Sequence, residues 1–167
     1  ALVNGTTVVT GDEHMQKRPI KPLVEALNAL GVTATSPTGC PPVTLSATGG
    51  FTRDEVEIDG GLSSQYISAI IMAAPLHPRP FTLKLVGTDI GAKGYVDITI
   101  NVMRAFGAEV TELAEGTWQI QPTGYQACNY QIEPDASAAT YLWGLEKLTN
   151  GRIDLGVEPS LMMQPDA

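Results

Sequence analysis

Hydrophobic and polar residues recur along this chain with two periods, and the changes of period mark its elements. Ile20, Leu23, Val24, Leu27 and Leu30 fall at i, i+3, i+4, i+7 and i+10, one face of a helix. Gly31 is read as the C′ residue that ends it, and Pro19 and Pro22 fit only near its first turn. "YVDITINVMRAFG" predicts a second such helix, with Val96 or Ile98, Val102, Met103 and Phe106 on its apolar face and Gly107 at its end. "DASAATYLWGLEKLTNG" predicts a third, with Asp135 as N-cap and Ala138, Tyr141, Leu142, Leu145 and Leu148 on one side. "GLSSQYISAIIMAAPL" is different: from Ile67 onward it is almost wholly apolar, which predicts a helix buried on most sides and stopped near Pro75. Nine short runs read as strands: "TTVVTG", "VTATSP", "VTLSAT", "EVEIDG", "FTLKLVG", "AEVTEL", "TWQIQP", "CNYQIEP" and "RIDLGVE".

The order of these elements repeats. A helix ending in glycine, a strand, a turn and a second strand occur in "LNALGVTATSPTGCPPVTLSATGG" and again in "MRAFGAEVTELAEGTWQIQPTG". Gly31 and Gly107 stand 76 residues apart (107 − 31), and the helix starts Ser63 and Asp135 stand 72 apart (135 − 63). Self-similarity at that spacing signals a stacked β-α-β-α-β-β unit. The fold class expected is α/β, of the inside-out barrel type, with buried helices and sheets outside. Residues 1–167 are read as one domain fragment of about two such units, cut from a longer chain.

Composition narrows the function. At 167 residues and 43% hydrophobic content the chain can bury a sizeable core, and its longest apolar run is too short to span a bilayer. A net charge of −8 argues against a nucleic-acid surface, so any anion must be held locally by a few placed donors. Cys40 and Cys128 sit in no CxxC and His14 and His77 are isolated, which favours free thiols in a reducing compartment and no metal site. A disulfide between the two cysteines stays open at this level.

Ser63, Ser64 and Gln65 are more than a helix start needs, because a single N-cap hydroxyl suffices. Four segments, "TGDEHMQKRPIKPLVEALNALGV", "GGLSSQYISAIIMAAPL", "GYVDITINVMRAFGAEV" and "YQIEPDASAATYLWG", together resemble the 5-enolpyruvylshikimate-3-phosphate (EPSP) synthase family, in order and over nearly the whole chain. The resemblance implies two domains of three β-α-β-α-β-β units each, with the active site in the cleft between them. This chain would supply part of one domain and half of the site, the second domain of the same polypeptide being absent. It also implies a cytoplasmic enzyme of aromatic amino acid biosynthesis, the target of glyphosate. The reaction implied is transfer of the enolpyruvyl group of phosphoenolpyruvate to the 5-hydroxyl of shikimate-3-phosphate, without metal or organic cofactor.

Residue by residue, the resemblance places Ser63 and Ser64 near the phosphate of shikimate-3-phosphate and Gln65 near its ring. Arg18 is placed on phosphoenolpyruvate, where a planar guanidinium can pair bidentately with phosphate or carboxylate. Tyr95 is placed beside the shikimate ring and Lys93 close to it; the plain alternatives are a core tyrosine and a turn lysine. Lys17, Lys21, Asp12 and Glu13 are read as solvated, Asp135 as a structural cap, and no catalytic acid or base is assigned. One departure stands out: the family's S-x-P-Y setting is "AKGY" here, with Ala92 and Gly94 in place of serine and proline, which unsettles the phosphate contact at that point. Two other readings remain, a related enolpyruvyl transferase acting on a UDP-sugar and a non-catalytic module that keeps the fold.

Overall fold

The structure, a computed structural model, describes residues 1–61, 63–87, 93–156, 158, 160 and 162–165. The chain forms two compact units, residues 1–126 and 127–167. In the first, the elements are β1 (Asn4–Val9), α1 (Lys21–Ala29), β2 (Thr33–Thr35), β3 (Val43–Thr48), β4 (Glu55–Asp59), α2 (Ser64–Ala73), β5 (Phe81–Val86), α3 (Lys93–Ala105), β6 (Val110–Ala114) and β7 (Thr117–Ile120). Single 3-10 turns occur at Met15–Lys17 and at Ala74–Leu76, the second where Pro75 ends α2. This is a mixed α/β fold.

The strands form two sheets. One has the order β1-β3-β2 with both pairs antiparallel. The other has the order β4-β5-β7-β6, in which β4 and β5 are parallel and the remaining pairs antiparallel. The predicted order of strand, helix, strand, helix, strand, strand is complete from β4 to β7. Its last four elements recur in β1, α1, β2 and β3, with the same pairing partners and the same spatial order.

Helix ends explain why the repeat keeps its period. Gly31 (φ +83°) and Gly107 (φ +84°) both take the left-handed conformation that only glycine adopts without penalty. The N–H of the next residue then reaches back five positions: Val32 to the Leu27 carbonyl and Ala108 to that of Met103, each at 3.0 Å. Twenty or so residues on, the Thr52 and Gln126 N–H groups close on the carbonyls of Leu30 and Phe106, at 3.0 and 2.8 Å.

The main core joins α2, α3 and the four-stranded sheet through Ile67, Ile70, Ile71, Phe81, Leu83, Val96, Trp118 and Ile120, all almost fully buried. A satellite core, Val24, Ala34 and Val43, holds α1 to the smaller sheet. Two expectations change in detail. α2 is buried on one face only, while Gln65, Ala69 and Met72 form an exposed line at i, i+4 and i+7. α3 turns Val96, Ile100 and Met103 inward, with Ile98, Val102 and Phe106 half-buried. Ile100, absent from the predicted face, completes its i, i+4, i+7 line.

In residues 127–167 the described structure is α4 (Ala136–Thr149) and its flanks. Asp135 caps it as expected, accepting from the Ala138 N–H at 3.2 Å, and Asn150 (φ +51°) ends it. The Gln164 side chain reaches the other orphan group of the first turn, accepting from the Ala136 N–H at 2.8 Å while donating to Glu133 and the Pro134 carbonyl. The Met163 N–H and Gln164 hold the Glu133 carboxyl below its ordinary pKa. "CNYQIEP" and the described part of "RIDLGVE" are not strands, because neither has a partner strand among the described residues. The expected apolar face of α4 is likewise open: Tyr141, Leu142, Leu145 and Leu148 are exposed.

Candidate functional site

α2 starts where the sequence places it. Ser63 is the N-cap, with φ −55° and ψ 128°, and its Oγ accepts from the Gln65 N–H at 3.3 Å. Capping uses a lone pair, so the hydroxyl proton remains free to donate. Ser64 is half-buried and Gln65 exposed. The helix N-terminus adds unpaired N–H groups and partial positive charge, so this end of α2 suits an anion.

Two other predicted site segments are tied to this helix just beyond the triplet. The Tyr66 hydroxyl donates to the Pro19 carbonyl, next to Arg18. On the other flank, Ser68 Oγ and Thr99 Oγ1 lie 2.8 Å apart, and Thr99 donates to the Tyr95 carbonyl at 3.0 Å. Since the Thr99 proton goes to Tyr95, Ser68 is the donor of the pair. The structure thus brings together the Arg18 segment, Ser63–Gln65 and the first turn of α3, which carries Tyr95.

Arg18 ends the 3-10 turn in an extended conformation (φ −81°, ψ 124°), as a residue before proline should. Its side chain is exposed, and among the described residues its guanidinium has no ion-pair or hydrogen-bond partner. Asp12 shapes the loop in front of it: its carboxylate accepts from the His14 and Met15 N–H groups at 3.1 and 2.8 Å. Lys21 pairs loosely with Glu25 at 3.6 Å, and Lys17 and Glu13 are exposed.

Lys93 opens α3. Its ammonium lies 3.0 Å from both Asp97 oxygens, to which it donates, and forms a looser ion pair with Glu112 at 3.6 Å. Asp97 first, then Glu112, raises its pKa above the ordinary lysine value. Tyr95 is exposed, Gly94 half-buried in the first turn of α3, and Ala92 lies outside the described residues. Sequence reasoning missed Tyr66, Ser68 and Thr99. The signal available was the pair of polar residues at 66 and 68 inside an otherwise apolar helix.

The remaining chemistry-bearing groups do not join this cluster. His77 is buried and pairs through Nε2 with Asp54 at 2.9 Å, while Arg79 holds the same carboxylate at 2.5 Å. The His77 hydrogen bond, then that of Arg79, keeps the Asp54 carboxyl below its usual pKa. Neither Cys40 nor Cys128 is in a disulfide. Among the described residues no group of His, Cys, Asp and Glu could hold a metal ion, and no helix is long and apolar enough to cross a membrane.

A 3-phosphoshikimate 1-carboxyvinyltransferase of Rhizobium leguminosarum is 59% identical over 167 residues, and one of Pseudomonas syringae pv. syringae is 53% identical over 169. Both alignments take in all of this chain but 40% of the relative, so the chain spans two-fifths of the length of the curated relatives it matches. In structure it is similar to the EPSP synthase of Acinetobacter baumannii (TM-score 0.63, 21% identity, 84% of this chain and 31% of that one). It is also similar to an enolpyruvyl transferase from Streptomyces tendae (TM-score 0.54, 18% identity, 83% and 33%), and at these identities the likeness concerns the fold. The family model described as EPSP synthase (3-phosphoshikimate 1-carboxyvinyltransferase) matches residues 1–158, and the chain belongs to that family.

Proposed function

We propose that this chain is about two of the three β-α-β-α-β-β units of one domain of an enzyme that joins phosphoenolpyruvate to shikimate-3-phosphate. The finer fold belongs to the same proposal: helices inside, sheets outside, with α2 and α3 against each other as the described core suggests. The second domain, with the groups that move protons, lies elsewhere in the full-length protein, and the protein works in the cytoplasm without metal or organic cofactor.

In this reading the shikimate-3-phosphate 5-hydroxyl adds to the enolpyruvyl C2 as the methylene takes a proton. The intermediate then loses phosphate and a methyl proton to restore the enol ether. This chain binds and orients. Ser63 and Ser64 donate hydroxyl protons to the phosphate of shikimate-3-phosphate at the positive end of α2, and Gln65 and Tyr95 flank the ring. Arg18 offers its free fork to phosphoenolpyruvate. Lys93, ion-paired with Asp97 and Glu112, steadies the start of α3 and is a reserve cation for the ligand.

The observation that carries this reading is the convergence of the Arg18 loop and the Tyr95 turn on the two sides of the α2 N-terminus. A UDP-sugar substrate is disfavoured by the serine–serine–glutamine start. In the full-length protein, Arg18→Lys keeps the charge and loses the bidentate fork. It should raise KM for phosphoenolpyruvate about tenfold or more, while that for shikimate-3-phosphate moves less than about twofold. Equal losses for both substrates would show that Arg18 acts through the fold.

A further inference from the structure

The loop that carries Arg18 is closed mostly on itself. Gln16 Nε2 donates to the Gly11 carbonyl at 2.8 Å, Asp12 caps the turn, and the Arg18 N–H returns to the Met15 carbonyl at 3.1 Å. The Ile20 N–H anchors its exit on the Gly39 carbonyl at 2.8 Å, on the side of the smaller sheet. Between this loop and α2 runs a hydrogen bond from the Tyr66 hydroxyl to the Pro19 carbonyl. It joins positions 47 apart in the chain.

The link transmits position because of what stands next to it. Pro19 has its φ fixed by the ring, and Arg18, being the residue before a proline, is confined to extended backbone. Few soft dihedrals therefore separate the tethered carbonyl from the Arg18 Cα. We infer that Tyr66 is a positioning residue for phosphoenolpyruvate: its hydroxyl sets the distance between the Arg18 guanidinium and the donor-rich N-terminus of α2. This inference rests on the role of Arg18 proposed above.

Tyr66→Phe keeps the ring and removes the tether. In the full-length protein, kcat/KM for phosphoenolpyruvate should fall about two- to tenfold, the range of one intramolecular hydrogen bond, with shikimate-3-phosphate affinity unchanged. In an Arg18→Ala background the same change should have no further effect, because nothing is left for the tether to place. Backbone amides of residues 12–18 should exchange faster in Tyr66→Phe, a readout that needs no turnover.

An equal fall on both backgrounds, a joint fall for both substrates, or unchanged exchange and kinetics would each overturn the inference. A loss for Arg18→Ala without one for Tyr66→Phe sinks the tether alone. Unchanged handling of phosphoenolpyruvate in Arg18→Ala sinks the proposed role of Arg18, and the tether with it.

Discussion

β1 and β5 hold the same place in their sheets. Each pairs antiparallel with the last strand of its unit, β3 or β7, and that strand pairs in turn with β2 or β6. Yet all six residues of β1 are exposed, Val8 at 59% and Val9 at 49%, whereas Phe81, Leu83 and Leu85 of β5 are buried. The difference lies in what comes before each strand. β5 has β4 along its free edge and α2 connecting the two; β1 has neither among the described residues. Burial of β5 is thus supplied by the preceding strand and helix.

The comparison can be broken most directly at those strands. Phe81→Ala removes a fully buried ring beside Phe51 and His77 and should destabilise by about 3–5 kcal/mol. Val8→Ala, on the exposed strand, should stay within about 0.5 kcal/mol. Denaturant unfolding of the full chain measures both; similar losses would mean that β1 is covered in solution.

The next largest effect separates two glycines that share a conformation. Alanine at either position enters the left-handed region, at about 1–2 kcal/mol. A Cβ on Gly31 would also lie 1.9 Å from Thr52 Oγ1, whereas one on Gly107 meets only the Gln126 side chain at 3.3 Å. Gly31→Ala should therefore lower Tm more than Gly107→Ala, and Thr52→Ala should narrow the gap. A gap that Thr52→Ala leaves unchanged would remove the clash from the explanation.

The smallest effect concerns a cluster that, among the described residues, only the second sheet has. Asp54, at the entry to β4, is shared by His77 and Arg79 ahead of β5, and its folded pKa is depressed. Its contribution to stability is present above the ordinary carboxylate value, near ~3.9, and is lost as pH falls through the folded value. Asp54→Asn should lower Tm at neutral pH and flatten its fall on the acid side. An acid limb identical to that of the unchanged chain would exclude Asp54 as a contributor.

What the sequence made legible was whatever is local. The face of α1, the two terminating glycines and the caps Ser63 and Asp135 depend on residues within a turn or two of each other. The repeat was legible for the same reason. "CNYQIEP" shows the limit: period-two alternation tells which side chains would share a face, but a strand exists only if another chain segment pairs with it. Lys93 shows a second limit, since Glu112 sits on β6, beyond any local window. The candidate site residues stood out by their motif; the bonds that gather their segments, Tyr66 to Pro19 and Ser68 to Thr99, join positions 47 and 31 apart and leave no periodic trace.

The backbone bonds from Thr52 to Leu30 and from Gln126 to Phe106 bear on how the chain finds its fold. Each closes a loop of about twenty residues, formed of one helix end and the two strands after it, before the next unit begins. Short closures are reached quickly, because little chain entropy is lost before native contacts form. Each repeat can therefore lock its own helix end without waiting for its neighbour, and assembly can run along the chain in the order of synthesis. Pulse-labelled exchange during refolding would test this: the Thr52 and Gln126 amides should gain protection as early as the β3 and β7 amides, and late protection would make closure a result of assembly instead of its first step.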